Sequence, residues 1–333
     1  MQSSREYVRR VQLVGGSTLT IALPKEWALE NRVTKGSELR ITVLPGGGLL
    51  VEPLGRTDRK SSEWNARVVM ESGNYSGVLR RVVSYYVAGA RVIDIVYDER
   101  SAREAEALAE QLRSILLGVE VLESEPGKIS LYAVLDNYSV GFWDAYMKMR
   151  RAVIGMIESL EAAARSGDRG LAAAIVRRDD IVDRLYLYLV RQLTTSLIEG
   201  RARASLGLSS PAEAPHLFLA MKSLERIGDH ITIISSILGK AGPALLRERL
   251  EQVAETRRIV SEASKLVKEP DPGLANSLAN AASRLRKTLS SARLEGPLWA
   301  VVSSLARING YAQDILEASI DIQTIRSRVG GQA

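Results

Sequence analysis

The chain contains no cysteine and only two histidines, His216 and His230, in 333 residues. The first absence excludes disulfides, thiolate nucleophiles and thiolate metal sites together. The second excludes a histidine-rich metal centre. No apolar run approaches the roughly 20 residues that a membrane-spanning helix requires. The N-terminal MQSSREYVRR lacks the apolar stretch of a secretory signal, so a cytoplasmic location without membrane insertion is expected. Gly73, Gly77 and Gly89 do not have the G-x-G-x-x-G spacing of a phosphate-binding loop. What is present is ordinary for globular protein: 46% hydrophobic and 25% charged residues, in a chain long enough for roughly two or three domains.

Charge is unevenly placed. The net charge is +6, and residues 1–60 hold ten Lys or Arg against six Asp or Glu, while the rest of the chain holds 35 against 33. A small basic piece followed by a nearly neutral remainder points to a polyanionic partner for the N-terminus.

From Tyr7 to Leu54 the pattern is short strands and turns. YVRRVQLV reads as a strand, Gly15-Gly16 as a tight turn, and STLTIAL as a half-buried strand of period two. Pro24 opens a short helix, PKEWALEN, where its missing N–H is harmless. LRITVL and LLVEPL form a second strand pair across Pro45-Gly46-Gly47-Gly48. Four short strands bury little, so dimerisation is the expected remedy. The polar stretch around GRTDRKSSE reads as a linker over 56–65. Beyond it, ARVVMES, a helix over 75–88, RVIDIVYD, a helix over 101–117, VEVLES and KISLYAVL spell a βαβαββ sandwich over 66–136, with helices on one face of its sheet. It carries no catalytic constellation and serves as spacer, dimerisation surface or ligand-sensing module.

From 137 onward the chain reads as helical. Phe142 to Arg165 ends at Ser166-Gly167, Asp168 caps a helix running to about Arg203, and Pro211 to Leu238 is the third of a first set over 137–240. Helices over 243–267, 271–294 and 297–329 make a second set over 243–329. Helices of this length with short Gly/Pro breaks fold as antiparallel bundles.

In the first set, Glu225 and Asp229 of SLERIGDH are four apart, as are Asp179 and Asp183 of RRDDIVDRL, with Asp180 three from Asp183. Like charges at this spacing share one helix face and repel. If helices over 175–200 and 215–240 pack antiparallel, the two pairs face each other and build an oxygen-only site suited to a hard cation, iron or zinc. The alternative is ordinary salt bridging by Arg177, Arg178, Arg184 and Arg226. Phase favours the first: at about 100° per residue Asp179 falls within the arc of Ile175, Val182, Tyr186 and Val190. His230 is either a further ligand or simply packed.

The sets also match each other. Ser223-Leu224-Glu225-Arg226-Ile227 recurs 81 residues on as Ser304-Leu305-Ala306-Arg307-Ile308, with Ala306 and Gly310 standing where Glu225 and Asp229 would be. Asn276 and Asn280 keep the four-residue spacing in the preceding helix without charge.

Two resemblances follow from these residues. The run GGSTLTIALPKEW, V-x-KGSELRI and GGGLLVEP over 1–55 is similar to the AbrB/SpoVT/MazE swapped-hairpin module, a dimeric DNA-binding fold. That likeness implies Arg5, Arg9, Arg10, Lys25, Arg32, Lys35 and Arg40 as contacts to DNA. It departs from the family at Ser17, where many members carry arginine. The paired three-helix sets, with DD-x-x-D-x-L and LERIGDH, resemble PhoU, a regulator of phosphate uptake whose acidic motifs bind iron or zinc clusters. Carried over by position, Asp179, Asp183, Glu225 and Asp229 would hold metal, with Asp180 as an extra ligand. The second set lacks the acids, so one site, itself vestigial at the extreme, is implied where the family often has two. The whole order resembles prokaryotic, mostly archaeal, PhoU proteins with a fused DNA-binding domain. The expected fold is therefore multidomain and mainly α: a swapped-hairpin β module, an α+β sandwich and a pair of three-helix bundles. The expected function is a non-enzymatic, phosphate-responsive transcriptional regulator acting as a homodimer on DNA. The other reading is an adaptor docking on phosphate transporter components or a kinase.

Overall fold

A computed structural model of the chain describes residues 6–43, 48–54, 64–135, 139–200, 205–291 and 294–330. Arg5, the Pro45-Gly46-Gly47 part of the expected turn and residues 56–63 of the expected linker lie outside them. By internal contacts the chain divides into two units, 1–62 and 63–333.

In the first unit β1 (Gln12–Val14) pairs antiparallel with β2 (Thr18–Thr20), and β3 (Leu39–Val43) pairs with β4 (Leu49–Pro53). Gly15 and Gly16 turn the first hairpin at φ of 62° and 82°, where a side chain would be strained. α1 (Lys25–Glu30) starts after Pro24 as its N-cap. The expected strand over YVRRVQLV is shorter than its pattern, since only Gln12 to Val14 find a partner in β2. No apolar residue of this unit is buried among the described residues, and Leu13, Leu19, Ile41 and Val43 are 61% to 71% exposed. Alternation without a second layer leaves the apolar face in water.

The second unit opens with β5 (Asn65–Met70), α2 (Tyr75–Val87), β6 (Val92–Tyr97), α3 (Ala102–Ile115), β7 (Val119–Glu125) and β8 (Lys128–Ala133). The strand therefore begins inside the expected linker, at Asn65, because Asn65 already pairs with Val92. The sheet runs β5-β6-β8-β7, parallel between β5 and β6 and antiparallel elsewhere. Ala66, Val68 and Met70 alternate inward against Val78, Val82, Leu108 and Leu112 of the two helices.

The helices follow: α4 (Phe142–Ser166), α5 (Arg169–Ile198), α6 (Ala214–Ala241), α7 (Leu250–Leu266), α8 (Pro272–Ser291) and α9 (Gly296–Gly330). Gly167 ends α4 at φ 79°, and the Asp168 carboxylate accepts from Gly170 N–H at 2.7 Å to open α5. α5 stops at Ile198 rather than near Arg203, because Gly200 takes the left-handed φ of 67°. A 3₁₀ turn, Pro243–Arg249, precedes α7, so the expected helix from 243 is helical in two parts.

The two three-helix sets share one hydrophobic core, from Tyr146 and Met149 through Leu224 and Ile231 to Leu305 and Ile315. Every buried position of α6 from Ala220 to Leu238 is buried again 81 residues on, from Val301 to Ser319 of α9. The internal repeat is thus a repeat of packing, not only of letters. Buried polar groups tie the sets together: Arg150 donates to Ser264 Oγ and Ser261 Oγ at 3.1 and 2.8 Å, and the Tyr146 hydroxyl donates to the Ser264 carbonyl at 3.0 Å.

The sandwich is fastened to the helices by Arg191 of α5, which is 4% exposed. Its guanidinium donates to the carbonyls of Tyr86, Ala90 and Gly89 at the end of α2, and lies 4.8 Å from the Tyr86 ring centroid. A cation at a helix C-terminus answers both the orphan carbonyls and the dipole.

Candidate metal centre and nucleic-acid interface

α5 and α6 are brought unusually close by Gly228. A Cβ built there would meet Asp179 Oδ1 at 3.0 Å and Val182 Cγ1 at 3.5 Å. The glycine sits between Glu225 and Asp229, so the carboxylates of one helix are held against those of the other. One oxygen each from Asp179, Asp183 and Asp229 lie within 4.8 Å of one another. Asp179 and Asp183 are half-buried and Asp229 is exposed, which leaves the cluster open to solvent on one side.

The electrostatics are those of a site with more carboxylate than counter-charge. Burial raises the Asp183 carboxyl to about 7, and the neighbouring Asp179, Glu225 and Asp229 add to the rise. Asp179 is raised chiefly by burial and then by Asp229, Asp180 and Glu225. The Thr232 hydroxyl tempers that rise but makes no hydrogen bond of normal geometry, and Asp179 Oδ1 is buried without a partner. Glu225 is raised by burial, against the pull of Lys222. Its Oε1 is ion-paired with Lys222, whose ammonium also lies 4.9 Å from the Tyr186 ring, while its Oε2 is buried and unpartnered.

Salt bridging by the arginines does not describe this cluster. Arg178 is turned to Gly155 O and Ser159 Oγ at 2.6 and 2.8 Å, and Arg226 lies 5.5 Å from the Tyr311 ring. Among the described residues no ion pair joins Asp179, Asp183 or Asp229 to a lysine or arginine. Of the five acids singled out in the sequence, three converge, Glu225 stands beside them held by Lys222, and Asp180 is exposed on the outer side of α5. His230 lies outside the three-carboxylate group, its ring 5.7 Å from that of Tyr311 and its Nδ1 buried without a partner. Sequence reasoning passed over Gly228, which stands within SLERIGDH, and Lys222, which immediately precedes it; their roles depend on which face of α6 meets α5.

The donor set suits a hard or borderline cation: carboxylate oxygens only, one of them buried and unsatisfied, at mutual distances a single ion spans.

In the first unit Arg9, Arg10, Lys25, Arg32, Lys35 and Arg40 are all exposed. Arg9 folds over Tyr7 at 5.4 Å, and Arg40 stands opposite Glu52 across the β3–β4 ladder. Arg32 takes a left-handed φ of 53° just after α1.

Comparison with known proteins adds two findings. Residues 146–238 match the PhoU domain, and residues 12–59 match the family described as "Antidote-toxin recognition MazE, bacterial antitoxin". Both families are regulatory and non-enzymatic. The PhoU match ends with α6, so it covers the set of helices that bears the acids. No curated protein and no solved structure matches the chain. Among the described residues no helix is long and apolar enough to cross a membrane.

Proposed function

We propose that this chain, which carries a PhoU domain behind a MazE/AbrB-like N-terminal domain, is a phosphate-responsive transcriptional regulator that binds DNA as a homodimer and a metal ion at the α5–α6 carboxylates. The observation that carries the metal half is the convergence of Asp179, Asp183 and Asp229 without a cationic partner, beside a buried, unpartnered Asp179 oxygen. Asp179, Asp183 and Asp229 would hold the ion, with the free oxygen of Glu225 as a further donor. Iron or zinc bound there would supply the positive charge that these acids lack and would fasten α5 to α6. The DNA half rests on the basic surplus of the first unit and on its exposed apolar face, which a second copy would cover.

The test has two arms. Elemental mass spectrometry of the purified protein should find stoichiometric iron or zinc in the wild type and none in Asp183→Ala, Glu225→Ala. DNA affinity should then differ between metal-loaded and chelated protein, since coupling requires a ligand that distinguishes two states. Metal-free wild type, even after incubation with both ions, would refute the metal half; equal DNA affinity with and without metal would refute the coupling. A second reading, an adaptor on transporter components or a kinase, is favoured by one observation: Phe218, Leu219 and Trp299 are 41% to 58% exposed on α6 and α9. Absence of DNA binding at low salt would select it.

A further inference from the structure

The repeat places a second cleft where the acids have been lost. On α9, Ala306 and Gly310 occupy the positions that Glu225 and Asp229 occupy on α6, and the shared burial pattern fixes that register. Both small residues line a cleft of about 630 Å³ between α8 and α9. Arg286 of α8 reaches across it, its guanidinium 3.7 Å from where a Gly310 Cβ would stand. Arg307 lines the same cleft, as do the hydroxyl-bearing Ser290 and Ser303. Neither arginine has a hydrogen bond or ion pair among the described residues. Where the first repeat sets carboxylate against carboxylate, the second opens a cleft that guanidinium and carboxylate groups share.

We propose that this cleft binds a small phosphate ester with a hydroxylated body, of the sugar-phosphate class. Guanidinium groups present several donors in a plane and match an oxyanion better than any other side chain. Bare phosphate does not fit the whole site: the volume is of the size that holds a small organic ligand. Asp314 and Glu317 also line the cleft, beside Gln313. These acids cancel the attraction for a simple anion but accept hydrogen bonds from hydroxyls, so the site as a whole selects a ligand that is anionic at one end and hydroxylated at the other. The half-buried Asp314 feels Arg226 of α6 as well as Arg286.

Isothermal titration of the full chain with ribose 5-phosphate, ribose and inorganic phosphate tests the assignment. Ribose 5-phosphate should bind, ribose should not, and inorganic phosphate should bind at least tenfold more weakly than the ester. Arg286→Ala with Arg307→Ala should weaken ester binding by tenfold or more; both side chains are exposed, so the fold persists, which circular dichroism checks. Ala306→Glu, which restores the acid of the first repeat, should weaken binding to the same degree while leaving the metal content unchanged. Absence of ester binding at millimolar concentration, binding indifferent to the arginine pair, or phosphate bound as tightly as the ester would each overturn the proposal.

Discussion

Asp183→Asn should stabilise the metal-free protein, by an amount that grows as pH rises through the acid range and is complete above about 7. In the folded chain the Asp183 carboxyl is raised from 3.8 to about 7. The fold therefore binds that proton more tightly than the unfolded chain does, and stability falls as pH rises from the ordinary carboxylate value through about 7. Above that value the whole penalty is present; below the ordinary value there is none. At about 1.4 kcal/mol per pH unit the penalty has a ceiling of roughly 4 kcal/mol. Asp183 is only about half-buried, and solvent screening brings the expected figure to about 2 kcal/mol. Asparagine keeps the shape and removes the charge. In chelated protein at pH 8, chemical denaturation should show the variant more stable by about that amount, with the difference vanishing near pH 4. Saturating metal should reverse the order, since a ligand at a hundred times its Kd adds about 2.7 kcal/mol to the wild type alone. A variant equally or less stable than wild type in chelator at pH 8 would refute the reasoning and mean that the acids are already satisfied within the protein.

Three further outcomes are expected. Gly228→Ala places a methyl 3.0 Å from Asp179 Oδ1 and should lower metal affinity about tenfold, by titration against a chelator, while the gain in helix propensity of about 1 kcal/mol keeps the metal-free fold stable. Arg191→Ala leaves the carbonyls at the end of α2 without their buried donor and should cost about 3 kcal/mol or more in denaturant unfolding. Arg9→Ala and Arg10→Ala should each reduce the slope of log affinity for DNA against log salt by about one, measured by fluorescence anisotropy, with the folded content unchanged.

Periodicity made the order and type of the strands and helices of the second unit legible, though not all their ends: β5 alternates, and the α6 stripe through Leu217, Leu224 and Ile231 is buried as its phase requires. Strand length in the first unit was less legible, because YVRRVQLV reads as a strand without showing that only three of its residues meet a partner. The acidic pairs were visible at once, since i, i+4 spacing is a property of one helix. Their convergence followed only on the condition that the two helices pack antiparallel, and how closely they meet depends on Gly228 admitting α5, a contact between residues far apart in the chain. Lys222 escaped for the same reason: a lysine three before a glutamate is an ordinary surface pair until burial of Glu225 makes it a local counter-charge. The arginine cleft was half visible in the loss of acids at Ala306 and Gly310, but Arg286 belongs to another helix and only folding brings it there.

α5 carries both Asp183 and Arg191, eight residues apart, which is about 12 Å along a rigid helix. The carboxylate faces α6 and the guanidinium grips the end of α2, so the helix works as a crankshaft with a journal at each station. A rotation or slide of α5 that closed the acids on an ion would therefore move the Arg191 guanidinium too, and with it the grip on the end of α2.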